Sequence, residues 1–195
     1  METSLIVFEG VDNSGKTTVS KELVRYLPAF FRWSKEPVFS TEEADRLNST
    51  EFKGNDAKRE VFFLESRLRQ QPFYRGFDVV LDRYLWTGIA YAKVFSPGVY
   101  GFCEELYSDF SIFKKPDIVF FMDTPLATCY DREPTLKAES GRLEAIRQAY
   151  ADTEKFVDVP VVYLDGSKDV DACVRDCLSA IAEVPQIRTR ICSEH

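Results

Sequence analysis

The sequence predicts an α/β fold in three layers, in which a five-stranded parallel sheet carries helices on both faces. Short apolar runs alternate with segments of helical periodicity along the chain, and this alternation is typical of parallel sheets that are covered on both sides. The 195 residues, 45% of them hydrophobic, are enough for one sizeable core, so we expect a single domain over residues 1–195. In such a sheet, ligands bind at the carboxyl ends of the strands.

The first strand is predicted at residues 5–8, and a phosphate-binding loop follows it. Residues 10–17 match the pattern GxxxxGK followed by Ser or Thr. Gly10 and Gly15 can turn backbone N–H groups inward around phosphate oxygens, and Lys16 adds a positive charge. Thr17 begins a helix, where its hydroxyl is placed to ligate magnesium. A glycine turn before an ordinary helix is the alternative, which eight matched positions in this context disfavour. The predicted nucleotide-binding residues of the loop are Gly10, Asn13, Ser14, Gly15, Lys16, Thr17 and Thr18.

The remaining elements follow from apolar periodicity and from turn residues. Further strands are predicted at residues 30–35, 77–82, 117–123 and 159–164. Helices are predicted at residues 17–27, directly after the capping-box residue Ser40, and at 55–74, 87–95, 100–113, 125–132, 142–156 and 169–182. The apolar residues of the helix over 55–74 predict its buried face, namely Val61, Phe62, Leu64 and Leu68. Residues 133–141 show no periodicity, which indicates a mobile loop.

Composition limits the kinds of partner and the compartment. A formal net charge of −7 is unfavourable for a surface that binds nucleic acid or an anionic membrane, so we expect neither partner. The five cysteines form no CxxC pair, and an odd number favours reduced thiols and a cytoplasmic location. The first residues lack a basic region, and no apolar stretch approaches about 18 residues, so we expect no signal peptide and no membrane span.

Five segments occur in the order and spacing of the thymidylate kinases, and the resemblance covers nearly the whole chain. They are GVDNSGKTT at residues 10–18, ESR at 65–67, DRYLWTGIAYA at 82–92, KPDIVFFMD at 115–123 and LDGS at 164–167. The resemblance implies a P-loop kinase fold with a short lid at about residues 133–141. It also implies transfer of the γ-phosphoryl group of ATP to dTMP, with Mg²⁺, to give dTDP and ADP for dTTP synthesis. A homodimer formed through helices between residues 55 and 107 is implied as well.

The resemblance assigns roles to individual residues. Arg67 and Arg83 match positions that hold the acceptor phosphate, where a planar guanidinium binds two oxygens. Asp82 resembles the carboxylate that orients magnesium through water, and Asp12 resembles the residue that receives the deoxyribose 3′-hydroxyl. Surface salt bridges for the arginines and core packing for the matched aromatic rings are the structural alternatives. Phe63 resembles the ring that stacks on thymine, and Tyr91 resembles the aromatic residue beside the sugar. Thr87 and Gly88 match positions around the base pocket. Asp165, Gly166 and Ser167 match the loop against which adenine packs.

Some positions depart from the family pattern. Val38 and Phe39 stand where many members carry an arginine for the acceptor phosphate, and Lys35 is the nearest basic residue. The loop has Asn13 instead of an arginine, and in such relatives an arginine of the lid approaches the transferring phosphoryl group. Arg132 and Arg142 are the candidates for this catalytic role. The RxE segment of the lid appears only at Arg142, so the connection to the next helix is expected to be short.

Two other functions are left open by the sequence. A deoxynucleoside kinase has a similar fold and often an acidic residue before Pro-Val, which Glu36 provides, because a neutral sugar hydroxyl needs a general base. Glu36 is therefore a candidate for a substrate contact, although the segment at 82–92 opposes this function. A non-catalytic nucleotide-binding module also uses a P-loop. Such a module does not need the acceptor set of Arg67, Arg83 and Phe63.

Overall fold

The computed structural model describes residues 2–135, 140–153 and 158–192, and within these ranges the chain forms five strands and nine α-helices. The strands are β1 (Leu5–Glu9), β2 (Arg32–Lys35), β3 (Val79–Asp82), β4 (Ile118–Met122) and β5 (Val161–Leu164). The helices are α1 (Lys16–Tyr26), α2 (Thr41–Asn48), α3 (Asp56–Gly76), α4 (Leu85–Phe95), α5 (Tyr100–Tyr107), α6 (Leu126–Arg132), α7 (Ser140–Thr153), α8 (Val170–Ala182) and α9 (Pro185–Cys192). Short 3₁₀ helices cover Thr50–Phe52 and Pro97–Val99.

The strands form one parallel sheet in the order β2-β3-β1-β4-β5, which confirms the predicted five-stranded parallel sheet. β3 pairs with one side of the central strand β1 and β4 pairs with the other. The chain connections on the two sides of β1 therefore lead away from each other. A crevice is expected where they separate, at the carboxyl end of β1. Glu9, Lys35 and Asp82 end their strands at this edge of the sheet.

Helices cover both faces of the sheet. Successive residues of β1 point to opposite faces, and they belong to two separate buried clusters. Leu5 and Val7 pack in one cluster with residues of α4 and α7, whereas Ile6 and Phe8 pack in the other with residues of α1 and α8. The predicted three-layer α/β arrangement is thereby confirmed.

The buried face of α3 was predicted only in part. Phe62 is buried and Leu64 packs against the core, as predicted. Val61 and Leu68 are 46% and 41% exposed. The residues of α3 that are buried are mostly polar, namely Glu60, Phe62, Ser66, Arg67, Gln71 and Tyr74. Hydrogen bonds and ion pairs make this possible, because polar groups that find partners can be buried without a large penalty. The apolar pattern of α3 therefore identified only part of its inner face.

Several boundaries also differ from the prediction. β2, β3 and β5 each begin two residues later than predicted, and α5 ends at Tyr107 instead of residue 113. The sequence pattern did not predict α9. The capping box is confirmed, since Ser40 Oγ accepts from the Glu43 N–H at 3.2 Å and Glu43 accepts from the Ser40 N–H at 2.9 Å.

The predicted lid lies partly outside the described residues. Residues 136–139 of the predicted loop and residues 154–157 of the predicted helix at 142–156 belong to the parts that the structure does not describe. The described helices include none that is long and apolar enough to cross a membrane. All five cysteines are free thiols, of which only Cys192 is exposed.

Candidate active site

The loop between β1 and α1 has the backbone that a phosphate-binding loop needs. Gly10 and Gly15 have φ values of 137° and 102°, which non-glycine residues rarely adopt. A Cβ atom on Gly10 would also lie 2.9 Å from the Met122 carbonyl oxygen. Asn13 has a φ of 56°, in a region that Asn tolerates better than most residues. The predicted glycine loop is therefore present, with α1 starting at its end.

Lys16 lies under this loop with its side chain almost completely buried. Its Nζ donates to the Val11 carbonyl at 2.5 Å and to Ser14 Oγ at 3.2 Å. Burial and the positive charge of Arg83 together lower the pKa of Lys16 to about 7. The amine is thus held within the loop, in an environment that gains from the arrival of negative charge.

The two residues with a predicted metal role, Thr17 and Asp82, contact each other beside the loop. The Thr17 hydroxyl donates to Asp82 Oδ2. The other oxygen, Asp82 Oδ1, is buried and has no hydrogen-bond partner among the described residues. An unsatisfied carboxylate oxygen beside a hydroxyl suits Mg²⁺, which is commonly held by one or two carboxylates, water and substrate phosphates. Within the described ranges, no group of three or more His, Cys, Asp and Glu side chains is placed to hold a metal alone.

A cavity of about 390 Å³ opens over this loop, and we call it the P-loop cavity. Arg132 at the end of α6 spans it, since Nη1 donates to the Asn13 carbonyl at 3.2 Å and Nη2 to the Gly166 carbonyl at 2.6 Å. The predicted residues that line this cavity are Asp12, Asn13, Gly15, Lys16, Thr17, Thr18, Arg83, Arg132 and Gly166. The other lining residues, which were not predicted as part of the site, are Val19, Lys35, Met122, Lys168, Val170 and Cys173. Lys168 was the one with a recognisable signal, a basic residue directly after a predicted ligand loop.

The loop between β5 and α8 packs directly on the P-loop. A Cβ atom at Gly166 would lie 2.0 Å from Thr124 Oγ1 and 2.5 Å from the Ser14 carbonyl oxygen. Asp165 Oδ1 accepts from the Ser167 N–H at 2.9 Å and from its hydroxyl at 2.5 Å, so these two side chains shape the loop and are not among the described residues that line the cavity. Gly166 is therefore the member of the predicted trio that reaches the cavity.

A second cavity, of about 300 Å³, lies beside the first and shares Asp12 and Arg83 with it. We call it the arginine-lined cavity, because Arg59, Arg67, Arg83 and Arg142 all line it. The predicted acceptor residues in its wall are Asp12, Phe63, Arg67, Arg83, Thr87, Gly88 and Tyr91. Pro37, Arg59, Glu60 and Phe95 were not predicted as part of the site. No local motif marks Arg59, Glu60 or Phe95, and Pro37 was noted only as the neighbour of Glu36.

Arg83 stands at the junction of the two cavities. Its φ of 72° is unusual for a residue with a side chain. One terminal nitrogen, Nη2, is paired with Asp12 Oδ1, whereas Nη1 is buried without a partner in the described part of the chain. Tyr91 donates to Asp12 Oδ2 at 2.7 Å. Burial alone would raise the pKa of Asp12, but the charge of Arg83 and the Tyr91 hydrogen bond outweigh it and hold this pKa below its usual value.

Arg67 is fixed by partners behind the arginine-lined cavity. Its Nε donates to Glu36 Oε2 at 2.9 Å and its Nη1 donates to the Tyr107 hydroxyl at 2.8 Å. Tyr74 donates to the other Glu36 oxygen at 2.9 Å. Burial raises the pKa of Glu36 to about 7 despite the opposing charge of Arg67. Glu36 is absent from the described lining of both cavities, and its carboxylate contacts Arg67 and Tyr74.

The two candidate lid arginines lie in different places. Arg132 lines the P-loop cavity, whereas Arg142 lines the arginine-lined cavity with its guanidinium 4.2 Å from the centre of the Phe95 ring. At the departure from the family pattern, Phe39 packs against Phe62 and Phe63, with ring centres 5.0 and 5.6 Å apart. Position 39 therefore supports the aromatic wall of the cavity.

Comparison with known proteins agrees with these motifs. The sequence is 31% identical over 148 residues to the probable thymidylate kinase of Methanocaldococcus jannaschii, covering 69% of this chain and 72% of that protein. It is 27% identical over 203 residues to the human thymidylate kinase, covering 93% and 94%.

The fold is shared with solved structures at lower identity. The Candida albicans thymidylate kinase superposes with a TM-score of 0.71 at 20% identity, covering 95% of this chain and 93% of that one. A deoxyadenosine kinase from M. mycoides gives 0.71 at 18% identity, covering 92% and 100%. The family model described as thymidylate kinase matches residues 8–175. Because this match spans most of the chain, the chain belongs to the thymidylate kinase family.

Proposed function

We propose that the protein transfers the γ-phosphoryl group of ATP to dTMP and releases dTDP and ADP, as a step towards dTTP. One observation carries the proposal: a P-loop cavity and a second cavity lined by predicted acceptor residues meet at Asp12 and Arg83. Phosphoryl transfer needs the donor and acceptor phosphates side by side, with positive charge at their junction. Arg83 provides this charge.

The P-loop cavity suits the donor, ATP. The N–H groups of the loop and Lys16 bind the phosphates, and Arg132, Gly166 and Lys168 lie at the other walls of the cavity. Thr17 and Asp82 would hold Mg²⁺, and this ion neutralises phosphate charge when it is bound. Arg132 is the better placed of the two lid candidates for the donor, since it already contacts the loop at Asn13.

The arginine-lined cavity suits the acceptor, dTMP. An acceptor phosphate is already ionised, so positioning and charge neutralisation supply the rate and no general base is needed. The unpartnered Arg83 Nη1 is available for a phosphate oxygen, and the ionised Asp12 can accept from the 3′-hydroxyl. Phe63 offers a ring to the base. Thr87, Gly88 and Tyr91 complete the wall along α4.

Arg67 is a second, rigid contact for the acceptor. It lines the arginine-lined cavity and is absent from the described lining of the P-loop cavity, so it lies away from the junction. Phe63 precedes it by four residues on α3 and therefore faces the same side. A Cβ atom at position 88 would lie 3.1 Å from Arg67 Nη1 and 2.6 Å from the Tyr107 ring, which explains why glycine is needed where α4 approaches this arginine.

The contacts of Glu36 argue against a deoxynucleoside kinase. Both carboxylate oxygens accept hydrogen bonds, from Arg67 and from Tyr74. A general base must come within hydrogen-bond reach of the hydroxyl it deprotonates, and Glu36 is held behind the cavity wall. The formed acceptor cavity likewise favours an enzyme over a non-catalytic nucleotide-binding module.

The experiment that tests this function compares Arg83→Ala with Glu36→Gln on dTMP and on thymidine, with ADP release as the readout. Arg83→Ala should lower dTMP turnover steeply, because a charge-assisted hydrogen bond contributes about 1.5 to 3 kcal/mol, and it should change ATP binding little. Arg188→Ala, an exposed arginine of α9, is the control. A normal dTMP rate in Arg83→Ala, together with loss of thymidine phosphorylation in Glu36→Gln, would favour the nucleoside kinase.

We further propose a homodimer formed through α3 and α5. The outer faces of these helices carry exposed apolar side chains, with Phe102 57% and Val61 46% exposed. Adjacent exposed apolar groups are typical of protein interfaces. Leu64, Val99, Phe102 and Leu106 line a small apolar groove between the two helices, which gives a second copy a surface to bind.

We also propose a cytoplasmic enzyme with one domain over residues 1–195, a lid at about 133–141 and no nucleic-acid partner. The free cysteines support a reducing compartment. The formal net charge of −7 is unfavourable for a nucleic-acid surface. The two buried clusters flank a single sheet, which supports one folding unit.

A further inference from the structure

Glu9 is a fully buried carboxylate whose contacts serve no role described so far. It is the last residue of β1 and is 0% exposed. Glu9 Oε1 accepts from the Tyr84 N–H at 2.9 Å and from the Thr87 N–H at 3.3 Å. Glu9 Oε2 accepts from the Thr87 hydroxyl at 2.5 Å and from the Tyr150 hydroxyl at 3.3 Å. These four contacts join β1 to α4 and α7.

The backbone contacts of Glu9 replace a missing helix cap. Tyr84 is the residue that precedes the first turn of α4, and its own side chain makes no capping hydrogen bond. The first N–H groups of a helix lack partners within the helix and are usually satisfied by a local side chain. Here a carboxylate from a different strand accepts from the N–H of Tyr84 and from that of Thr87, so the start of α4 is held by β1.

This attachment fixes the residue that precedes Tyr84. The Arg83 N–H donates to the Phe8 carbonyl at 2.9 Å, and its φ of 72° is a conformation that surrounding contacts must maintain. Phe8 and Glu9 therefore hold the successive residues Arg83 and Tyr84. The direction of the Arg83 side chain depends on this short stretch of backbone.

The same helix carries a wall of the arginine-lined cavity. Thr87, Gly88 and Tyr91 all lie on α4 and all line that cavity. Glu9 itself is absent from the described lining of both the P-loop cavity and the arginine-lined cavity. Its effect on a ligand must therefore pass through the groups that it holds.

We propose that Glu9 is the positioning residue of the acceptor site, and this rests on the proposed function only in naming dTMP as the ligand. The Glu9 carboxylate anchors the first turn of α4 and so sets the place of Arg83 and of the cavity wall that follows it. It acts on acceptor binding and not on donor binding, because its partners belong to α4 and α7 and not to the loop over residues 10–15.

Glu9→Gln is the direct test, because it keeps the shape of the side chain while replacing one acceptor oxygen by an NH₂ group that faces N–H and O–H donors. The dissociation constant of dTMP, measured by calorimetry, and the KM for dTMP should rise about tenfold or more, as expected for lost hydrogen bonds to a charged acceptor. The KM for ATP should stay within about twofold of wild type. Glu9→Asp, which keeps the charge, should recover part of the dTMP affinity.

Asp78→Asn is the matched control. Asp78 is also a buried carboxylate that accepts from a backbone N–H, that of Ser4 at 2.8 Å, and it is paired with Arg190. It precedes β3 and so lies at the opposite edge of the sheet from the site. This variant should lower the melting temperature and leave the dTMP dissociation constant unchanged, which separates loss of stability from loss of positioning.

Two results would overturn the proposal. One is a folded Glu9→Gln protein that binds dTMP within about twofold of wild type, and the other is an equal shift in the dTMP and ATP constants. If Glu9→Gln does not fold, Tyr150→Phe removes a single donor and should weaken dTMP binding in the same direction but less, and unchanged binding there would overturn the proposal as well. If wild-type protein binds thymidine and not dTMP, the proposed function fails, and the same variants measured with thymidine still decide the role of Glu9.

Discussion

Lys16 is placed to bind phosphate, and burying its amine lowers the stability of the protein when no ligand is bound. Its folded pKa is about 7, against an ordinary 10.5, mainly because the amine is buried. The unfolded chain therefore binds more protons than the folded one between these pH values, and the contribution of Lys16 to stability rises with pH over that range. Below about pH 7 the buried amine is charged, and its cost is greatest there.

We predict that Lys16→Met abolishes transfer and gains stability relative to wild type as the pH falls. Turnover should drop by a factor of about 10² or more, since a preorganised charge at the reacting phosphate is lost. The unfolding free energy of Lys16→Met, measured by urea denaturation, should exceed that of wild type by more at pH 6 than at pH 9. Lys53→Met is the control, because Lys53 is exposed and is absent from the described lining of both cavities. Retained turnover, or the opposite pH trend, would contradict the assignment.

Local sequence patterns identified the P-loop and the strand ends around the site, whereas contacts between residues far apart in the sequence were not predicted. The P-loop residues follow from one short pattern, and Arg83 follows from its place after a predicted strand. Glu9 carries no such signal, because it ends an apolar run and its partners Tyr84 and Thr87 lie 75 and 78 residues away. Glu36 was singled out by Pro37 beside it, but its contact with Arg67 spans 31 residues and was not foreseeable.

At the scale of single elements, the loop between β5 and α8 makes a sharp prediction. Gly166→Ala should weaken ATP binding about tenfold, because the new methyl group would overlap Thr124 Oγ1 and the Ser14 carbonyl and push the loop off the P-loop. Binding of dTMP should not change. Gly76→Ala is the control, since a Cβ atom there would meet nothing within 4 Å. Calorimetric titration with ATP and with dTMP separates the two effects, and normal ATP affinity in Gly166→Ala would refute the tight packing.

The helix α3 explains why element type was easier to predict than element orientation. Its length and start were predicted closely, with Asn55 accepting from the Lys58 N–H at 3.0 Å as an N-terminal cap. Its inner face was predicted only in part, because that face also carries Arg67 and Gln71, which have partners distant in sequence. Apolar periodicity identifies a buried face only where burial is driven by apolar groups.

For the whole molecule, the exposed apolar side chains of α3 and α5 predict a dimer. Sedimentation velocity at micromolar concentration should show a species of twice the 22.4 kDa chain mass. Phe102→Glu should give a monomer, because a charge placed in an apolar interface loses its hydration. Tyr26→Glu is the matched control, since Tyr26 is 58% exposed and lies on α1, and it should leave the dimer intact. Wild-type protein that sediments only as a monomer would rule the interface out.

The distribution of charge was predictable only in part from composition. Because the net charge is −7, any positive charge that binds phosphate must be concentrated at one site. The structure gathers Lys16, Lys35, Arg83, Arg132 and Lys168 around one cavity, although these residues come from five separate stretches of the chain. Parallel strands bring such stretches together at one edge of the sheet, and only the fold order, not the composition, determines which cations meet.

Four cysteines are buried and one is exposed, so the reaction rates of the thiols report how often the protein opens locally. Only a thiolate attacks a disulfide reagent, and burial raises the pKa of all four buried thiols. A reagent therefore modifies each buried thiol only when the structure around that thiol opens, and the frequency of this opening sets the reaction rate. Cys103 and Cys129 lie on one face of the sheet, and Cys173 and Cys177 lie on the other. The rate of local opening can thus be measured separately for the two faces of the sheet in the unmodified enzyme. The exposed Cys192 is the reference for an unhindered thiol.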